Sequence, residues 1–251
     1  MEPVTVERQG AVAWVWLSRP ERLNALNQAS IERLYAVFEG LGGDETVRAI
    51  VLAGRGRAFC AGFDIEWMAG RTPAMVREDR AYLRRFFDVI EGCPQPVISA
   101  VQGDAMGGGL ILTMVSDMVV ASEAARFGVP EIKIGIFPSL RLIPRLERLV
   151  GMRAAKMMAL TGDPVDAATA LNMGLVSQVT TGERLYEAAA ALAAQVAASP
   201  MGTARAIKAA FVAHPQGDYA DWETEAAVSC WAQPEREMLM QRFLAKRNRS
   251  E

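Results

Sequence analysis

The sequence predicts an α/β domain that passes into a helical tail. Two observations carry this expectation. Short uninterrupted apolar runs alternate with amphipathic helical stretches at a spacing of roughly 45 residues, and beyond about residue 152 the helical pattern takes over. The repetition is one of structure pattern, with no clear sequence repeat beneath it. At 251 residues, with 51% hydrophobic and 22% charged side chains, the chain can bury a large core.

Residues 4–17 read as strand material, with AVAWVWL at 11–17 as a buried strand that Pro20 ends. Asn27 is a plausible N-cap for a helix that shows Ile31, Leu34, Phe38 and Leu41 on one face, and Gly42 and Gly43 stop it. AIVLA at 49–53 is the next buried strand, followed by a Gly/Arg turn at 54–57 and a loop. A charged helix is predicted over 73–91, with Val76, Tyr82, Leu83, Phe86 and Ile90 available for burial. A Cys-Pro-Gln-Pro break follows, then a strand at 96–101, a glycine-rich stretch at 103–109, a helix near 108–116 and a strand at 118–121. The tail carries one strand at 175–179 and helices near 183–198, 200–213, 219–230 and 234–246.

Charge and composition exclude several functions. A net charge of −2 leaves no basic footprint for a nucleic acid. Cys60, Cys93 and Cys230 are odd in number and far apart, so a disulfide framework and a cysteine metal site are both disfavoured. The single histidine, His214, precedes Pro215 at a predicted helix end, which argues against a histidine-based hydrolase and a zinc site. The most apolar stretch, 110–121, is interrupted by Ser116 and Asp117 and is too short to span a bilayer. With strand material already at residue 4 and no signal-peptide pattern, the expectation is a cytoplasmic protein with no membrane contact.

Three stretches could carry chemistry. Arg57 to Ile65 is the first. The second, Gly103 to Leu110, follows a strand and opens a helix, so its glycines permit close backbone approach while the helix start leaves N–H groups without intrahelical partners. Such a place suits a phosphate or a developing oxyanion, although Met106 occupies a glycine position of the dinucleotide fingerprint. The third is Phe127 to Pro138, where Glu131 becomes a usable base if it lines a pocket that desolvates it.

Taken in order, RPERLNAL (19–26), AFCAGFDI (58–65), PVISAVQGDAMGGG (96–109), the strand entry at Asp117, FGVPEIKIGIFP (127–138), LTGDPVDAATALNMGLVSQV (160–179) and RFLAKR (242–247) resemble the crotonase (enoyl-CoA hydratase/isomerase) superfamily. The resemblance covers nearly the whole chain. It implies a spiral of repeated ββα units over residues 1–198 and a C-terminal helical region, 199–251, that builds a homotrimer or hexamer. Phe63 N–H and Gly108 N–H would form the oxyanion hole for the thioester carbonyl of an acyl-CoA, with coenzyme A as part of the substrate and no separate cofactor or metal. Arg57, Ala61, Asp64 and Ile65 would lie along the CoA site, and Phe243 and Lys246 of a neighbouring subunit would close it. Trp67, Met68, Ile111, Phe137 and Arg141 would shape the acyl pocket.

Departures from the family pattern bear on the reaction. Hydratases of this family use two glutamates; here Ile111 stands at the first position and only the second, Glu131, is present, while Ser139 to Leu142 replaces a glycine-rich loop. Water addition needs a base for water and an acid for C2, whereas a Δ3 to Δ2 double-bond shift needs one carboxylate. The favoured expectation is an enoyl-CoA isomerase. Hydration requires a relocated acid, with Glu66 and Asp104 nearest in sequence, and Arg141 in the acyl pocket would suit a decarboxylase or hydrolase of a diacid thioester. An acyl-CoA-binding protein without turnover is the non-enzymatic alternative.

Overall fold

The computed structural model describes residues 2–212, 224–225, 228–230 and 238. The strands are β1 (Val4–Gln9), β2 (Val12–Leu17), β3 (Ala49–Gly54), β4 (Val97–Val101), β5 (Asp104–Met106), β6 (Met118–Ser122), β7 (Arg126–Gly128), β8 (Val165–Asp166) and β9 (Gln178–Thr180). The helices are α1 (Gln28–Gly42), α2 (Ile65–Ala69), α3 (Pro73–Glu91), α4 (Gly108–Met114), α5 (Leu142–Thr161), α6 (Ala167–Asn172), α7 (Leu185–Ala197) and α8 (Met201–Val212). His214 and most of 219–230 and 234–246 fall outside the described residues.

A six-stranded sheet runs in the order β1-β2-β3-β4-β6-β9, parallel throughout except for the antiparallel β1–β2 pair. A second ladder, β5-β7-β8, lies beside it. Isolated parallel bridges Cys60↔Ala105 and Leu26↔Phe63 extend that ladder upstream. Each turn of the chain therefore leaves one strand in the large sheet and the next segment in the small one: β3 then 60–63, β4 then β5, β6 then β7. This is the spiral of ββα units.

Alternation along the strands explains the apolar runs. Ala13, Val15 and Leu17 join the main core with Ile50, Leu52, Val97 and Val101, while Trp14, Trp16, Val51, Ala53 and Ile98 turn to the opposite face. There α7 covers them through Leu185, Ala189 and Ala193, one small residue per turn. Both faces are dry, so no polar alternation survives in the sequence. Among the described residues, no helix is long and apolar enough to cross a membrane.

Asn27 caps α1 by accepting from Ser30 N, and Ile31, Leu34, Phe38 and Leu41 are buried, as the periodicity predicts. Helix α3 spans the predicted residues, but Val76 and Tyr82 are exposed; it meets the core only near its C-terminal end, through Phe86, Phe87 and Ile90. The helix-rich part starts earlier than expected, with α5 kinked at Gly151, and its strand lies at 178–180 instead of 175–179. Helix α2 and the strands β5, β7 and β8 are too short for a periodicity to reveal.

Two side-chain amides, buried Asn24 and half-buried Gln102, hold the loop after β3. Asn24, left-handed at φ 56°, accepts from Arg19 N at 2.9 Å and donates to Arg55 O at 2.9 Å and Ala58 O at 2.8 Å. Gln102 Nε2 donates to Gly54 O, Gly56 O and Ala58 O. Replacing Asn24 by Ala strands Arg19 N and Arg55 O, while Ala58 O keeps Gln102, and puts a less tolerant residue in the left-handed region, so Asn24→Ala should cost about 2–4 kcal/mol in urea unfolding.

Candidate active site

The site forms where the 60–64 segment passes between Leu26 and β5. Leu26 N donates to Gly62 O at 2.7 Å and Asp64 N donates to Leu26 O at 2.9 Å. In a parallel bridge those two bonds belong to the residues flanking Phe63, so Phe63 N–H points the other way. On that side Cys60 N donates to Asp104 O, Met106 N to Cys60 O and Gly107 N to Gly128 O, each at 3.0 Å. Gly108 is the first residue of α4, and its N–H has no carbonyl four residues back. Among the described residues, Phe63 N–H and Gly108 N–H donate to no protein acceptor. The two segments nearly touch: a Cβ at Gly62 would lie 3.5 Å from Gly108 N, and one at Gly109 would lie 2.1 Å from Cys60 O. Only a glycine fits at 109.

Glu131 comes from a 3-10 turn, Pro130–Ile134, that β7 delivers and that Gly135 closes in the left-handed conformation. Its own carbonyl accepts from Ile136 N at 3.0 Å. Its carboxylate lies over Gly107, where a Cβ would be 2.6 Å from Oε1, and where φ is +50°. Glycine at 107 therefore gives the carboxylate room beside the helix start. Oε2 is buried without a hydrogen-bond partner among the described residues. Burial pushes the Glu131 carboxyl above the ordinary carboxylate range, because little compensates the lost hydration. Neighbouring Lys133 is turned to Asp163 at 2.6 Å. Two unspent N–H donors and a desolvated carboxylate thus share the Gly107–Gly108 corner, an arrangement that can polarise a carbonyl and move a proton beside it.

Ile111 sits one turn along α4 and is 2% exposed in the core. Trp67 and Phe63 pack partly buried against that core, and Met68 is half-buried on α2. Two of the residues expected at the acyl pocket lie at the surface of the chain. Phe137 is 71% exposed, because the chain after Gly135 leaves the core, and Arg141 is exposed at the start of α5 with Nη1 3.4 Å from Asp88 Oδ1. The Asp64 carboxylate caps α2 through Glu66 N and pairs with Arg19 at 3.2 Å, so it holds the loop. Arg57 and Ile65 are exposed, and Ala61 N donates to Leu23 O. Phe243 and Lys246 lie outside the described residues.

The alternative acids are committed elsewhere. Glu66 pairs with Arg22 at 2.9 Å, and Asp104 holds Arg126 through both oxygens at 2.9 and 3.2 Å. Cys60 adjoins the donors, yet burial pushes its thiol up to about 12, which removes it as a nucleophile. Sequence reasoning missed Phe87, whose ring meets Phe63 edge-on at 6.3 Å, because α3 reaches the site only through tertiary packing. It also missed the clamp formed by Asn24 and Gln102; the polar residues between apolar runs were the available signal.

The pattern of the enoyl-CoA hydratase/isomerase family matches residues 7–250. A probable enoyl-CoA hydratase of Rhizobium meliloti (strain 1021) is 40% identical over 212 residues, covering 83% of this chain and 80% of that one. A crotonyl-CoA hydratase of Syntrophomonas wolfei is 32% identical over 98% of this chain and 96% of its own. The crystal structure of an enoyl-CoA hydratase from Bacillus anthracis superposes with a TM-score of 0.92 at 30% identity, covering 97% and 96% of the two chains.

The raised Glu131 pKa has two measurable consequences. The acid limb of kcat/KM against pH should fall above the usual glutamate value of about 4.3, and Glu131→Gln should lower kcat by about 10²–10⁴-fold. A carboxyl whose pKa is raised by folding stabilises the fold when protonated and loses that contribution as pH rises. Glu131→Gln should therefore raise Tm at pH 7, with the gain shrinking as pH falls toward the unfolded value of about 4.3.

Proposed function

The chain belongs to the enoyl-CoA hydratase/isomerase family, and from that premise we propose that it shifts the double bond of an acyl-CoA thioester from Δ3 to Δ2, with Glu131 as the only proton carrier. The observation behind this choice is the solitude of that carboxylate. Ile111 occupies the turn after the glycines, and Glu66 and Asp104 are tied to arginines.

The thioester oxygen accepts from Phe63 N–H and Gly108 N–H. The Glu131 carboxylate takes a proton from C2, and the electron pair spreads over O, C2 and C4 as a dienolate. The same carboxyl returns the proton to C4, leaving the double bond at C2=C3, so atoms and charge balance with no water consumed. An oxyanion donor is worth about 3 kcal/mol in the transition state, and both donors here are main chain, which explains why a bulky Phe is tolerated at 63. Desolvated Glu131 suits both halves, since a raised pKa brings it nearer the acidity of the carbon it serves.

Arg57, exposed after β3, is suited to the CoA phosphates. A homotrimer, or a hexamer of two, is part of this reading. Exposed Ile132, Ile134 and Phe137 lie on the segment that packs on the end of α5, where Met157 and Leu160 are also exposed. Together they make an apolar surface a monomer rarely leaves bare. Arg141, held by Asp88, gives a carboxylated acyl group little support.

The names of the relatives favour hydration as the second reading. Mass-resolved assays of 3-enoyl-CoA and 2-enoyl-CoA separate the two. Isomerisation predicts conversion of 3-enoyl-CoA at unchanged mass and no water gained by 2-enoyl-CoA. Gain of one water by 2-enoyl-CoA would overturn the single-carboxylate argument, and inactivity in both would return the acyl-CoA-binding protein.

A further inference from the structure

The turn that carries Glu131 is not seated by its own burial. No residue from Pro130 to Ile134 is buried, and Ile132, Lys133 and Ile134 are exposed. The hydrogen bonds inside it, Gly135 N to Ile132 O at 3.2 Å and Ile136 N to Glu131 O at 3.0 Å, shape the turn without attaching it to the rest of the chain. Its attachment comes from the segment after α5. That segment runs antiparallel to β7, with Asp166 opposite Arg126 and Val165 opposite Phe127. Pro164 then packs on Gly128, where a Cβ would be 3.1 Å from Pro164 Cβ.

The same segment meets the turn again on the far side of Glu131. Gly162 is buried beneath Ile132 and Lys133: a Cβ there would lie 2.9 Å from Ile132 Cγ2 and 3.0 Å from Lys133 Cε. The Lys133 stem, laid over Gly162, ends in an ammonium group 2.6 Å from Asp163 Oδ1. Asp163 is fixed from its own side. Its N–H donates to Thr161 Oγ1 at 3.2 Å, and Thr161 Oγ1 donates to Met157 O at 2.8 Å. One stretch, 162–164, therefore touches the chain both before and after Glu131.

We propose that Lys133 and Asp163 are positioning residues for the candidate base, an ion-pair strap that fixes the Glu131 carboxylate over the Gly107–Gly108 corner. The proposal rests on the reading of Glu131 as the proton carrier. With the pair broken, the turn keeps its internal hydrogen bonds and shifts away from 162–164 as a unit. The carboxylate, whose Oε1 stands 2.6 Å from the position of a Gly107 Cβ, shifts with it. A misplacement of about 1 Å can cost about a hundredfold in rate. An exposed ion pair contributes little to stability, so rate and stability should separate.

Two variants test the strap. Lys133→Met keeps the stem over Gly162 and removes the charge, and Asp163→Asn removes its partner. With whichever enoyl-CoA isomer the wild type converts, each should lose at least about fivefold in kcat, while KM and the Kd of butyryl-CoA stay within about twofold. The double variant should be no slower than the slower single one, because both lose the same contact. Lys133→Arg, which keeps the charge, should recover most of the loss. A pair acting on Glu131 through charge alone would behave differently. Loss of Lys133 would raise the Glu131 pKa and loss of Asp163 would lower it, moving the acid limb in opposite directions. The strap predicts a fall of the same sign in both variants across the pH profile.

A loss of less than about fivefold in either variant, a matching loss of butyryl-CoA affinity, or acid limbs that move apart would overturn the strap. Glu131→Gln separates that failure from failure of the underlying reading. If Glu131→Gln is inactive while both strap variants keep their full rate, the base stands and the strap is removed. If Glu131→Gln is as active as the wild type, or the wild type converts neither isomer, the base is removed and the strap with it.

Discussion

The site depends on one main-chain arrangement, the parallel pairing of the 60–64 segment with Leu26 on one edge and β5 on the other. A strand residue directs its N–H and C=O to one side only. Leu26 takes the groups of Gly62 and Asp64, and this leaves Phe63 N–H directed away from it. The same stacking brings the segment against the first turn of α4, whose N–H groups are unpaired by the geometry of any helix start. Two unspent donors are brought close together without a side chain being chosen for the purpose. The asparagine and glutamine that hold the 54–58 carbonyls keep the segment in register.

Glu131 is the energetic counterpart of that arrangement. A buried carboxylate oxygen without a partner lowers stability, and a backbone hydrogen bond offsets only part of the loss. Elsewhere the fold treats its acids differently. Asp64, Glu66 and Asp104 each have an arginine, and Asp117 has Lys208 at 2.7 Å and Val97 N at 2.7 Å. A half-buried carboxylate without a charged partner is what makes Glu131 the candidate proton acceptor.

The scaffold is rigid because both faces of the large sheet are covered. The aromatic pair Trp14 and Trp16, stacked at 5.4 Å under Tyr186, fills one face, and the Phe86–Phe87 pair at 4.6 Å anchors α3 to the other. Phe87 then touches Phe63, so the helix that closes the core also braces the Phe63 ring. Core and candidate site share residues here, which ties the surroundings of Phe63 to the seating of α3.

Much was readable in the chain itself. The buried strands at 11–17, 49–53, 96–101 and 118–121 follow from runs that have only one stable place, inside. The cap at Asn27 and the glycines at 107–109 follow from what each residue type can and cannot do, while the solitude of Glu131 stands out only through the family resemblance. Local chemistry of that kind needs no knowledge of the neighbours. The commitments of Asp64, Glu66, Asp104 and Arg141 to partners between 22 and 53 residues away, the exposure of Phe137, and the meeting of Phe63 with Phe87 needed the tertiary structure. A side chain's direction depends on which distant segment the spiral lays beside it, and that is set by the stacking of all the turns together.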